Sequence, residues 1–148
     1  MTVLDYDALA QEVIAALSRE KSIVLATSAA GRVTARTMSH VNDRLTMYFQ
    51  TGNTSDKYQQ ITANPNIALA VRNMQIEATA EICGHPSQNF HFCELYKQKF
   101  PQYYELYTNY ADETVIKASP VKIALYKYID GVPCRDILDI EQQKAYRI

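Results

Sequence analysis

From Met74 to Ile82 the chain alternates without a break, with Met74, Ile76, Ala78, Ala80 and Ile82 on one side and Gln75, Glu77, Thr79 and Glu81 on the other. Successive side chains of a β-strand point to opposite faces, so this run has one dry face and one wet one. A strand of that kind belongs in an antiparallel sheet that covers a core on a single side. Leu45, Met47 and Phe49 repeat the pattern in a shorter run. With 148 residues and 47% hydrophobic content, the chain can bury one such core but hardly two, so one domain spanning residues 1–148 is expected.

Turn chemistry and periodicity place the other elements around these strands. Leu9, Val13, Ile14 and Leu17 recur at helical spacing behind a capping candidate at Asp5, which predicts an amphipathic helix ending near Arg19-Glu20-Lys21. A meander follows: Ser22 to Thr27, a turn at Ala29-Ala30-Gly31-Arg32, Val33 to Val41, a second turn at Asn42-Asp43, and Leu45 to Gln50. A short helix from Asp56 to Ala63 stops at Asn64-Pro65-Asn66, ahead of the apolar strand Ile67 to Val71. Pro86-Ser87 opens a helix running to Phe100, and beyond Pro101 the residues Tyr103, Leu106, Tyr107 and Tyr110 continue at helical spacing, giving a helical insertion over about 87–110. Strands over Thr114 to Ser119 and Val121 to Ile129 and a turn at Asp130-Gly131 follow, while the tail from Val132 has no clear pattern. The expected fold is mainly β: six or seven antiparallel strands closing into a barrel with peripheral helices.

Fifteen basic against sixteen acidic side chains give no overall pull toward nucleic acid or anionic lipid, so any anion site must be local. The longest apolar run, Ile67 to Val71, is far below the roughly 20 residues of a spanning helix, and Met1 to Asp7 carries two aspartates where a secretory signal would be positive. A cytoplasmic protein without membrane or nucleic-acid partners is expected. Cys83, Cys93 and Cys134 lack Cys-x-x-Cys spacing and read as reduced thiols. Cys83, His85, His91 and Cys93 offer four soft ligands, but His91 and Cys93 would lie about 200° apart on a helix, so no metal site is expected.

The segment from Val33 to Lys57 carries the chemistry. Arg36 and Met38 share one face of a strand, and His40 shares it with them, open either to proton donation in a site or to an ordinary strand-end hydrogen bond. A guanidinium there either grips a ligand phosphate or carboxylate in forked geometry or forms an ion pair with an acidic neighbour such as Glu77 or Glu81. Thr51-Gly52-Asn53-Thr54-Ser55-Asp56-Lys57 leads into a helix, putting free amides and hydroxyls beside an ammonium, which is a competent phosphate site. The same residues also read as ordinary capping, with Thr54 or Ser55 satisfying the amides, Asp56 complementing the dipole and Lys57 in water. Both readings stand at this point. No Gly-x-Ser-x-Gly elbow, phosphate-binding Gly-rich loop or His-Glu-x-x-His is present, so hydrolase, P-loop and zinc-protease chemistry have no footing.

The order Leu25-Ala26-Thr27, a Gly31-Arg32 turn, Arg36-Thr37-Met38, Tyr48-Phe49-Gln50-Thr51, Ser55-Asp56-Lys57 and Ala63-Asn64-Pro65-Asn66 resembles the FMN-binding split barrel of pyridoxamine 5'-phosphate oxidase-like proteins over roughly residues 10 to 127. The resemblance implies that Arg36, Ser55 and Lys57 hold the FMN phosphate. It implies that main-chain groups around Thr37 and Met38, and around Gln50 and Thr51, face the isoalloxazine ring, and that Gln75 contacts the cofactor from a partner subunit or its edge. It further implies a homodimer with the flavin at its interface and a flavin-dependent oxidoreductase of unknown substrate, with no side chain as catalyst. Asp56 stands where the authentic oxidase has an arginine, and the chain lacks tryptophan and the oxidase's C-terminal substrate motifs, so vitamin B6 oxidation is not implied. The chain looks more like the small bacterial, stress-associated branch, some of whose members take a deazaflavin or haem in the same groove. A non-catalytic module, or one without cofactor, is the alternative that Asp56 favours.

Overall fold

Ten strands share one antiparallel sheet in the computed structural model, which describes residues 1–104 and 110–148. In chain order these are β1 (Thr2–Val3), β2 (Ser22–Ala29), β3 (Arg32–Ser39), β4 (Val41–Asp43), β5 (Thr46–Gly52), β6 (Asn66–Val71), β7 (Met74–Ile82), β8 (Glu113–Ile129), β9 (Val132–Asp139) and β10 (Lys144–Arg147). Among the described residues three helices accompany them: α1 (Tyr6–Arg19), α2 (Asp56–Ala63) and α3 (Phe90–Lys99), the last preceded by a 3-10 turn at Pro86–Gln88. The fold is the expected mainly β barrel with peripheral helices. Its strand count is higher than six or seven because the tail forms β9 and β10, β1 pairs onto β10, and β4 separates from β3 at His40.

The two segments expected on either side of Pro120 are one bent strand. Glu77 pairs with Lys122 and Ala78 with Pro120, so Val121 is an extra residue bulged out of the β7–β8 ladder, next to a proline that has no N–H to give it. At this corner β8 changes partner, from β5 over Glu113–Ala118 to β9 over Lys122–Ile129. The sheet therefore runs β3-β2-β6-β7-β8 and then forks, to β5-β4 on one arm and β9-β10-β1 on the other. The turn expected at Asn42-Asp43 lies two residues later, because Asp43 pairs with Thr46 and Arg44 takes the left-handed conformation. The expected helix from Pro86 is interrupted at Asn89, and Leu106 and Tyr107 lie outside the described residues.

Asp5 caps α1 by accepting from the Ala8 amide at 2.7 Å, and Leu9, Ala10, Val13 and Leu17 seal one mouth of the barrel core. Burying each of the larger ones contributes about 1.5–3 kcal/mol. Phe92 and Tyr96 of α3, with Phe100 at its C-terminal cap, pack with Val41 and Val115 in a smaller cluster, which fastens α3 beside β4 and β8. No helix among the described residues is long and apolar enough to cross a membrane.

His40, between β3 and β4, is 1% exposed, with Nε2 2.9 Å from the Leu17 carbonyl at the end of α1. Burial, reinforced by the nearby Lys99 ammonium, lowers its pKa to about 4. Unfolding releases it to the ordinary value of 6.5. The unfolded chain thus binds the extra proton first, and stability present above pH 6.5 is lost as the pH falls toward 4. At 1.36 kcal/mol per unit, the group accounts for about 3 kcal/mol of acid sensitivity. Urea melts between pH 7 and 4 will show a shallower loss for His40→Gln than for the parent, whereas parallel curves would contradict this account.

Candidate functional site

The β2–β3 hairpin builds the first part of the site. Ala30 and Gly31 both have positive φ, a two-residue turn that fixes the register Thr27↔Thr34 and Leu25↔Arg36. Thr27, Thr34 and Arg36 consequently share a face. Arg36 Nη1 donates to Thr27 Oγ1 at 2.8 Å and Nη2 donates to Thr34 Oγ1. Both hydroxyls donate onward to Gln60 Oε1 of α2, at 2.6 and 2.7 Å, while Gln60 Nε2 donates to the Arg32 carbonyl. Thr27 and Gln60 are buried, so the guanidinium is held in place by neutral groups rather than by a carboxylate. The sequence singles out Thr27 only within the Leu25-Ala26-Thr27 run, with no role attached, and gives no signal for Thr34 or Gln60.

Lys57, in the first turn of α2, is half-buried and close enough to Arg36 to feel its charge. Desolvation first, and Arg36 second, lower the lysine pKa, and desolvation lowers that of Arg36. No ion pair engages either residue among the described residues, so two half-buried cations stand together without a counter-charge in contact. Capping and cation clustering coexist here. Ser55 accepts from the Tyr58 amide and bonds with the buried Thr51 hydroxyl at 3.0 Å, as a cap should, while Lys57 is only partly exposed and partly desolvated. Asp56 turns outward to Arg32 at 3.3 Å, both side chains being well exposed, and makes no contact with Arg36 or Lys57. Arg36 pairs with neither Glu77 nor Glu81 among the described residues.

A cleft of about 460 Å³ is lined by Thr37, Met38 and Ser39 of β3, Gln50 of β5, Glu113 of β8, and Tyr96 and Tyr103. The cations are not among its lining residues but adjoin it, Arg36 next to Thr37 in β3 and Lys57 within reach of the Glu113 charge. Glu113 links the two parts, since Lys57 and Glu113 sense each other's charge. The barrel is split here: among the described residues β3 pairs only with β2, and β5 beyond Tyr48 pairs only with β8. Two strand edges therefore present unpaired main-chain donors and acceptors to the cleft. Thr37, Met38 and Gln50 are thus brought together, with Thr51, Ser55, Arg36 and Lys57 beside them. Gln75 is not. It is exposed on the outer face of β7, in the row Thr37–Val24–Ala70–Gln75, three strands from Thr37.

The family model of pyridoxamine 5'-phosphate oxidase matches residues 9–127. The chain belongs to that family. Among solved structures, General Stress Protein 26 from Bacillus anthracis is similar at 21% identity with a TM-score of 0.65, covering 89% of this chain and 98% of that one. ChuZ from Campylobacter jejuni gives a TM-score of 0.76 at 14% identity, with 95% and 63% covered. A FAD-binding protein from Mesorhizobium loti gives 0.61 at 10%, with 76% and 90% covered. At these identities the likeness is one of fold. No curated protein matches the chain.

Cys83, His85, His91 and Cys93 do not converge. His91 meets Asp43 at 2.9 Å, His85 bonds Ser87 and the Tyr110 carbonyl, and the buried Cys93 thiol donates to the Pro86 carbonyl. Among the described residues no group of three or more His, Cys, Asp or Glu side chains is placed to hold a metal ion.

Proposed function

We propose that the chain is an FMN-binding oxidoreductase of the pyridoxamine 5'-phosphate oxidase family that works as a homodimer. The observation that carries this reading is the pair of half-buried cations, Arg36 and Lys57, which make no ion pair among the described residues and adjoin a cleft between two open strand edges. A dianionic phosphate would remove the cost of holding two like charges out of water, and the N-terminal amides of α2 would add to its hold. Arg36 is pinned by Thr27, Thr34 and Gln60, so its other N–H groups are aimed before the ligand arrives. Main-chain groups at Thr37, Met38, Gln50 and Thr51 would face the ring, with Ser55 beside the phosphate.

Two buried acceptors in and beside this cleft, Gln50 Oε1 and Glu113 Oε2, have no hydrogen-bond partner, which fits a cleft shaped for a polar ligand. FMN, when bound, supplies hydride transfer at its N5, and the protein's part is to bind and orient it and to limit water at the ring. Gln75 lies on an outer face three strands away, so it reaches a ring in this cleft only from a second copy.

Purified protein will show the two-banded visible spectrum of an oxidised flavin, and acid denaturation will release a chromophore of FMN mass. A colourless protein that takes up no added FMN would rule the reading out; a Soret band would replace flavin with haem, and a deazaflavin mass would change the ring but keep the phosphate site.

A further inference from the structure

The cations explain how the cleft holds an anion, but not why carboxylate and amide oxygens are sheltered beside them. Glu113 Oε2 and Gln50 Oε1 are two of the three buried side-chain polar atoms without a hydrogen-bond partner among the described residues, and both residues line the same cleft. Gln50 pairs across the ladder with Val115 and Gly52 with Glu113, so Gln50 and Glu113 project from the same face as diagonal neighbours. Glu113 and Lys57 also feel each other's charge.

A sheltered acceptor without a donor is costly, and a carboxylate beside a phosphate site is costlier, unless the ligand itself brings hydroxyl or N–H donors to that point. The ligand therefore has to carry its donors next to its anionic group, before any ring or apolar part.

We infer that Glu113, with Gln50, selects ligands whose anionic group is carried on a hydroxylated chain, and discriminates against those whose anion sits on a bare alkyl chain. This rests on the flavin reading of the cleft and makes Glu113 a specificity-determining residue for the linker between phosphate and ring. A propionate-bearing macrocycle brings no such hydroxyls, and its carboxylates face the Glu113 charge.

The test uses apoprotein and two fluorescent ligands: FMN, and an isoalloxazine carrying an unhydroxylated pentyl phosphate at N10. Both share the ring and the phosphate, so the ratio of their dissociation constants isolates the chain hydroxyls. The parent will prefer FMN by about tenfold or more, as expected for a hydrogen bond to a charged acceptor. Glu113→Leu will bring that ratio down at least about fivefold, and Glu113→Gln, which keeps an acceptor and the shape, will retain an intermediate preference. Equal affinities in the parent, or a preference unchanged in Glu113→Leu, would overturn the inference while leaving the flavin site in place. Failure of the parent to bind either ligand would remove both readings together.

Discussion

Replacing Arg36 and Lys57 together by alanine will weaken FMN binding by at least about a hundredfold, since each charge-assisted contact contributes roughly 1.5–3 kcal/mol and 1.4 kcal/mol is a factor of ten. The two residues contribute differently. Arg36 also anchors the Thr27–Thr34–Gln60 network, so its removal leaves two hydroxyls and an amide to rearrange between the β2–β3 hairpin and α2. Lys57 has no such partner, and Lys57→Ala alone is the cleaner probe of the anion site. Riboflavin supplies the decisive control, because it has the ring and the ribityl chain but no phosphate. Its affinity will be nearly the same for the parent and the double variant. An unaltered FMN affinity, or equal losses for FMN and riboflavin, would show that these cations do not hold a phosphate.

Much of the fold could be read in the sequence, and where it could not, the missing element was long-range. The unbroken alternation at Met74–Ile82 gave β7 its bounds, and the Asp5 cap, the Asp56–Ala63 helix and the Asp130-Gly131 turn rest on local chemistry that no tertiary contact overrides. Register was legible only where a two-residue turn fixed it, as at Ala30-Gly31. The direction of a charged side chain was not. Asp56 reads in the sequence as a threat to a phosphate; in the fold its carboxylate meets Arg32, brought in from the preceding hairpin, while its charge is still felt at Arg36 and Lys57. Glu113 gave no signal at all, because its importance comes from the β5–β8 pairing of strands about sixty residues apart in sequence. The tail from Val132 had no apolar period to read, since its inward positions include a charged residue, Asp136.

That residue makes the second large prediction. Asp136 of β9 is 1% exposed, accepts Arg147 Nε at 2.7 Å and Nη2 at 2.9 Å from its ladder partner on β10, and accepts Lys127 Nζ of β8 at 2.9 Å. Lys127 also reaches Glu12 of α1 at 2.9 Å, so one carboxylate connects three strands and a helix. The forked Arg147 contact, above all, holds the Asp136 pKa below the ordinary carboxylate value. Asp136→Asn keeps the shape but leaves two cations facing a neutral amide, and breaking a buried pair from one side costs about 3–5 kcal/mol. For a domain of this size that lowers Tm by roughly 10 °C.

The acid limb of stability separates this group from His40. Asp136 contributes stability above its unfolded value of 3.8 that is lost only as the pH falls below it, under the window of His40. Asp136→Asn will therefore lower stability uniformly from pH 7 to 5 and flatten the loss below pH 4. Apolar replacement of the whole cluster, Asp136→Leu with Arg147→Leu and Lys127→Met, will recover most of the deficit, because it removes the unpaired Arg147 charge and the Lys127 charge along with their partner and leaves only the more exposed Glu12 without its cation. A loss below about 1 kcal/mol in Asp136→Asn would mean that water reaches the cluster and screens it, as in an exposed ion pair.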